Sequence, residues 1–307
     1  GRKIVEAARK YNRVVQTGTQ SRSSPALAEA VEFLRAGKLG KIFMAKGLCY
    51  KPRGSIGIMA NAPVPPGVDY DLWLGPAPKR PFNPNRFHYN WHWQWDYGGG
   101  DTANQGPHQF DVGRWGLNKE EAPVKVRSFG NLYLYGDSQQ ETPNTQTSIF
   151  EYADGTIFEF ATRGLDTNPE GAISIGNIFY GSEGRLEIDA EGNWKTFLGP
   201  KGEPGPNSGN IKEEASSALD TVGGNLRGHM QNFIDAVVAH NQEKLTCDIE
   251  VGYKSSILPL MANISYRTKR ELKWDGKKEQ FIGDNEANKL LHRHERKGWE
   301  IKKIAQS

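Results

Sequence analysis

Between Phe87 and Asp111 the chain reads FHYNWHWQWDYGGGDTANQGPHQFD, which sets His88, His92, His108, Asp101 and Asp111 close together beside a glycine run. Three chemistries could use such a stretch. A metal site is the first. His88 and His92 are four apart but lack the Glu of a zinc-protease helix, and His108 with Asp111 supplies two ligands where a site needs three or four. No metal is expected. A nucleotide cradle is the second. It needs G-x-G-x-x-G in the turn between a strand and a helix, with an acid about 20 residues on. Here the glycines follow an aromatic loop, and no other segment matches. Proton transfer is the third. With Asn104 as a helix N-cap, Pro107 falls in the first turn, His108 lies four residues after Asn104, and Asp111 comes one turn later. The positive end of that helix favours a neutral imidazole, which suits a base. The same spacing also fits a structural histidine behind a tight glycine turn, and spacing alone leaves both readings open.

The flanking segments must hold this stretch in place. GRKIVEAARKYNR carries Ile4, Val5, Ala8 and Tyr11 at helical spacing, and VVQTGTQ, Val14 to Gln20, suits a short buried strand. Together they read as half of an α/β repeat. In SSPALAEAVEFLRAGKLG, Ser24 caps a helix, Pro25 opens it and Gly37 ends it. KIFMAKGLCY follows as a strand. Residues 51–86 are irregular and rich in Pro and Gly, and QGPHQFDVGRWGL reads as a helix. The middle turns β-rich, with hairpin signals at Asp154-Gly155 and Glu191-Gly192-Asn193. Gly199 to Asn210 reads as a surface loop, helices follow at about 222–240 and 249–267, and the end gives a short strand and a last helix. The fold class is α+β: a large, mainly antiparallel sheet flanked by helices, preceded by one helix–strand unit.

Bulk properties narrow the function. With 39 Lys and Arg against 36 Asp and Glu, the net charge of +3 gives no case for nucleic acid. No apolar run approaches the roughly 18 residues of a membrane span. Cys49 and Cys247 share no motif and read as buried thiols. The chain opens on Gly1 in what reads as mid-helix, so the N-terminus is expected to be cut and localisation stays unknown, cytoplasmic or periplasmic.

GGGDTANQGPHQFDVGRW resembles the motif of the Gfo/Idh/MocA oxidoreductases, in which a glycine run leads into a helix bearing Asp, then His, then Asp. KIVEAARKYNRVVQTGTQSRSSPALAEAVEFLRAGKLGKI is similar to the segment that closes that family's Rossmann domain and enters its second domain. YDLWLGPAP, GHMQNFIDAVVAHNQEKLTCDIEVGYKS and EANKLLHRHERKGW resemble further landmarks of a bacterial subgroup. The resemblance implies NAD(P)-dependent oxidation or reduction of a sugar or polyol hydroxyl, with NAD or NADP as cofactor. It places the family's fingerprint and Glu-Lys-Pro lysine upstream of Gly1, so these residues alone are not expected to turn over. Lys51-Pro52 is not that lysine, since it follows the Rossmann segment and lacks the Glu. Residues 1–20 become a remnant of a truncated Rossmann domain, and residues 21–307 a substrate-binding and oligomerisation domain. His108 matches the catalytic His. Asn104 stands where the family has Asp, and an amide takes no proton, so it can only orient substrate or His108. Asp111 matches the later Asp.

Further candidates follow from that reading. Trp91 and Trp93, with Tyr89, Trp95 and Trp73, could stack on a sugar face or simply pack. Arg53 and His88 sit on loops that would frame the cleft. Thr19, Gln20 and Arg22 follow the last nucleotide-domain strand, whose carboxyl end would face the cofactor. His229, His240, His292 and His294 show no partner pattern and are expected at the surface or at helix ends. An open sheet face predicts a homo-oligomer. Two alternatives remain: an NAD-dependent glycosidase of the same fold, or a non-catalytic carbohydrate-binding or structural relative, which Asn104 would suit.

Overall fold

In this computed structural model, residues 1–209, 226–293 and 295–300 are described. The chain opens with helix α1 (Arg2–Lys10), then a 3-10 turn (Gln20–Ser23), helix α2 (Pro25–Arg35) and strand β1 (Ile42–Tyr50). Helices α3 (Tyr70–Leu74), α4 (Gly100–Asn104) and α5 (Gly106–Gly116) follow. Strands β2 (Lys125–Asn131), β3 (Thr145–Glu151), β4 (Ile157–Arg163), β5 (Ile175–Gly181), β6 (Gly184–Ile188), β7 (Trp194–Leu198) and β8 (Glu203–Asn207) come next. Helices α6 (Leu226–Val238) and α7 (Ile249–Thr268), strands β9 (Leu272–Asp275) and β10 (Gln280–Phe281) and helix α8 (Asn285–Lys289) complete the described order.

The strands form one sheet in the order β10-β9-β2-β3-β4-β1-β5-β6-β7-β8. Only β1 and β4 run parallel; every other described pair is antiparallel. The expected α+β class and mainly antiparallel sheet are therefore what forms. The hairpin at Asp154-Gly155 joins β3 to β4, with Gly155 at φ +82°, a conformation that favours glycine. Ser24 accepts from the Leu27 amide and caps α2, and Gly37 follows it at φ +70°.

Two expectations differ. Val14–Gln20 forms no strand; Gln16 makes one isolated bridge to Asp248, because no neighbouring strand lies beside the segment. The surface loop at Gly199–Asn210 instead holds β8, the edge strand of the sheet, where Pro204 and Pro206 are tolerated because one side needs no ladder donor. Asn210, the start of the helix expected at 222–240, and His294 lie outside the described residues.

One face of the sheet carries the core. Phe110 of α5 is fully buried, 4.6 Å from the Phe160 ring and 5.3–5.4 Å from Phe158 and Phe150. This layer lets α5 lie flat on β1 and β4, and α7 packs against its other side. The approach is close enough to exclude a side chain at Gly113, where a Cβ would stand 2.3 Å from Phe158. Cys49 lies beneath this layer with its thiol pushed up to about 12 by burial, so it is an inert packing group. Replacing Gly113 by Ala should cost about 1–3 kcal/mol, the usual range for overpacking a core. A urea midpoint that falls with an unchanged slope would show it; an unmoved midpoint would refute the close approach.

Candidate functional site

The glycines open the site by packing, not by cradling phosphate. A Cβ on Gly98 would stand 2.6 Å from the His92 carbonyl oxygen, and Gly100 turns into α4 at φ +64°. Asp101, in the first turn of α4, is buried and takes a bidentate pair from Arg53 at 2.7 and 2.9 Å. Arg53 in turn lies over Trp93 and Tyr89, 5.1 and 5.8 Å from their ring centres. The Arg53 charge is thereby held firmly, its pKa raised first by its hydrogen bonds to Asp101.

Asn104 ends α4 and does not cap α5, a correction to the sequence reading. Gln105 occupies the cap position in αR geometry and its side chain makes no cap bond. The reason is that α4 already uses Asn104 as a helical residue, so its backbone cannot take the extended form a cap needs. Pro107 does fall in the first turn, and His108 follows it.

His108 opens on a cavity of about 270 Å³, at the lower end of small-molecule sites. Its imidazole makes no hydrogen bond to any described residue. Burial is the main cause that lowers its pKa; Asp111 opposes the shift and Lys51 adds to it. Around it stand Gln20, Lys51, Gln105, Gln109, Asn177 and Asp189. Lys51 Nζ donates to Gln105 Oε1 at 2.6 Å, and Gln105 Nε2 donates to Gln109 Oε1 at 3.2 Å. Asn177 Nδ2 holds the Gln109 carbonyl at 2.9 Å. The wall is thus a chain of amides ending on one ammonium group. Lys51 was missed as a site residue in the sequence. The signal was its place directly after β1, a central strand that packs under α5.

Asp111 is fully buried and does not reach His108. Arg22 grips it at 2.8 and 3.0 Å, and Ser255 of α7 donates to it at 2.7 Å. Arg114 then donates to Ser255 at 2.8 Å, and Arg22 lies over Trp115 at 5.0 Å. Asp111 therefore fixes α5 through Arg22 and Ser255, with no bond that would set the His108 tautomer.

The remaining candidates separate. Of Thr19, Gln20 and Arg22, only Gln20 lines the cavity. Thr19 is buried with its hydroxyl 2.6 Å from Cys247 Sγ, and Arg22 is committed to Asp111. Trp91, Trp93, Arg53 and His88 are not among the residues that line it. Trp93 is buried under Arg53, Trp91 stacks on His92 at 3.9 Å, and His88 is exposed with its ring 4.2 Å from Phe87. Tyr70, Trp73, Phe82, Phe87 and Tyr97 pack the long loop onto itself at 5.1–5.7 Å. His229 is a further correction. It is buried, bridging the Ser23 hydroxyl and the Thr17 carbonyl at 2.7 Å each, because α6 docks on that segment. Among the described residues no three His, Cys, Asp or Glu side chains converge on a metal position, and no helix is long and apolar enough to cross a membrane.

Comparison with known proteins decides the family. Residues 50–177 and 198–301, well over half of the chain, match the oxidoreductase family, C-terminal alpha/beta domain, of Gfo/Idh/MocA type. The chain belongs to this oxidoreductase family. No curated protein matches it in sequence. Among solved structures it is similar to an aldose-aldose oxidoreductase from Caulobacter crescentus complexed with glycerol, with 15% identity, 89% of this chain and 67% of that chain covered, and a TM-score of 0.60. A levoglucosan dehydrogenase in complex with NADH and levoglucosan gives 13% identity, 89% and 69% coverage and 0.60. The WlbA dehydrogenase from Bordetella pertussis, in complex with NADH and UDP-GlcNAcA, gives 14%, 89%, 67% and 0.57. At these identities the likeness is one of fold. The chain spans about two thirds of the length of these three.

The His108 shift has a sign that can be measured. Its folded pKa lies below the unfolded value, so between the two the unfolded chain binds the extra proton. The contribution is fully present above the unfolded pKa and is lost as pH falls toward the folded one. An NMR titration of the imidazole should give a midpoint below the ordinary 6.5. Lys51→Met should raise it and remove part of the acid-side loss of stability. A His108 midpoint that Lys51→Met leaves in place would sink this account of the wall.

Proposed function

We propose that this oxidoreductase acts with NAD or NADP on a hydroxyl of a sugar or polyol, and that His108 accepts the hydroxyl proton. The observation that carries the reading is the His108 imidazole, held neutral by burial and open to an amide-lined cavity. A neutral imidazole with no partner among the described residues has a free lone pair for a substrate O–H, and a cavity rich in Gln and Asn offers both donors and acceptors to neighbouring hydroxyls. Lys51 sits where its charge would favour the alkoxide that forms as the proton leaves. Asn104 is not among the residues that line the cavity and an amide takes no proton, so transfer rests on His108.

The residues present fit only the reacting end of the cofactor. Gln20, on the cavity wall, is the contact this chain offers there, and no G-x-G-x-x-G occurs in the sequence to cradle its phosphates. A bound nicotinamide would supply the hydride acceptor. The same reading assigns residues 1–20 to the nucleotide side and residues 21–307 to the substrate side. The neighbours whose structures contain glycerol, levoglucosan or UDP-GlcNAcA support the choice of substrate class.

In the protein carrying the nucleotide side that this reading expects, His108→Ala, assayed with NAD and NADP over a panel of sugars and polyols, should lose about 10²–10⁴-fold in turnover. The same sugars should still bind in calorimetry. Turnover equal to the parent's would remove His108 as the base, and binding without any turnover in the parent would favour a carbohydrate-binding role.

We extend the reading to a homo-oligomer formed through the sheet face opposite the helices. Phe129 and Ile149 lie on it, 56% and 42% exposed, at diagonal positions of the β2–β3 pair, Phe129 opposite Thr147 and Ile149 opposite Arg127. Exposed apolar groups side by side on a sheet mark an association surface. Light scattering should give a multiple of 34.2 kDa, and a monomer mass at micromolar concentration would contradict it.

A further inference from the structure

A second cavity, of about 340 Å³, lies on the other side of the glycine run, between α7, the segment after α8 and the Gly98-Gly99 turn. It is lined by Trp95, Leu260, Asn263, Ile264, Arg267 and Arg293 among others. We propose that it binds a small amphiphilic anion: a molecule with a carboxylate or phosphate head, an apolar body and one hydroxyl or amino donor.

Three observations converge on that class. The first is charge. Arg267 and Arg293 both reach the cavity, and neither has a carboxylate partner among the described residues. Arg267 lies over the Trp95 ring at 5.2 Å, which orients its donors without neutralising it. Arg293 donates to the Asp96 backbone carbonyl at 2.9 Å. Its pKa is lowered, by burial first and by Arg267 last, while Asp96 acts the other way. The Asp96 carboxylate is also on the wall and shares Arg80, at 2.9 Å, with Glu141, at 3.4 Å, so it offsets part of the positive charge and leaves the two arginines in excess. His292, exposed at the rim, is the remaining titratable group on the wall. Two adjacent guanidinium groups without a counter-ion suit one bidentate anion.

The second is an orphaned acceptor. Asn263 is 5% exposed and donates its Nδ2 to the Gly99 carbonyl at 2.8 Å, which fixes which end is oxygen. Its Oδ1 then has no partner. A buried polar atom left unpaired costs free energy, so it calls for a donor from whatever fills the cavity. The third is the apolar wall. Leu260 is 51% exposed and stands beside buried Ile264, with Leu290 and Leu291 facing them. An occupant would press against the same glycine turn that launches α4 and α5.

Mandelate carries all three groups and serves as the probe. Benzoate lacks the donor, benzyl alcohol lacks the charge, inorganic phosphate lacks the apolar body, and phenyl phosphate exchanges the head. Calorimetry on the full chain should show mandelate binding about tenfold more tightly than benzyl alcohol or phosphate, the change expected for one charge-assisted hydrogen bond. Phenyl phosphate against benzoate, neither of which carries the alcohol donor, then tells which head the site prefers. Arg267→Met with Arg293→Met, both at exposed positions, should weaken mandelate about tenfold with an unchanged circular dichroism spectrum. Asn263→Ala should abolish the advantage of mandelate over benzoate. Equal affinity for mandelate and inorganic phosphate, or affinity unmoved by the double arginine change, would overturn the proposal.

Discussion

The ion pair between Arg22 and Asp111 is the constraint on which the site depends. Asp111 is fully buried, so its charge must be met inside the protein. Arg22 meets it from the turn before α2 and Ser255 meets it from α7, and Arg114 closes the set through Ser255. Three elements, the turn before α2, α5 and α7, thus converge on one carboxylate. Removing either partner of such a pair strands the other, at a cost of about 3–5 kcal/mol. The geometry leaves α5 a single orientation on the sheet, with its first turn, and hence His108, at the cavity.

Holding α5 this way also sets the chemistry of His108. The side chain lies in the first turn of an 11-residue helix, where the exposed amides give a partial positive charge. Burial and Lys51 act in the same direction, against imidazolium. Asp111 alone works the other way, and it is already shared between Arg22 and Ser255. The carboxylate that positions the base is therefore kept from controlling its proton. A histidine bonded directly to Asp111 would be a stronger base with a fixed tautomer; here both nitrogens are left for the cavity and whatever it holds.

Much of this was legible in the sequence because it is local. The α5 helix, the Ser24 cap and the Asp154-Gly155 turn follow from spacing and turn chemistry within a few residues, and the structure has all three. What was not legible is what depends on distant partners. Arg22 and Thr19 look free in sequence, yet they answer to Asp111 and Cys247, 89 and 228 residues away. Val14–Gln20 has strand composition and no strand beside it. Lys51 stands after β1 with no motif around it, and only the fold brings it to Gln105, 54 residues on. The tryptophans could be read either as a binding wall or as packing, and it is Arg53 and the long loop that pack on Trp93 and Trp73.

The glycine run is where these threads meet. Gly98, Gly99 and Gly100 each face a close neighbour: the His92 backbone, the Asn263 amide and the Thr142 side chain. A side chain at any of the three would push α4 away from α7 and from the loop before it. Gly98 and Gly99 line the cavity that also holds Asn263 and Arg267, while the His108 cavity opens along α5. The Asn263 amide donates to the Gly99 carbonyl, which ties α7 directly to the turn that opens α4. The run is thus explained by the distance between two packed surfaces, and the need for glycine comes from α7 as much as from the residues around His108.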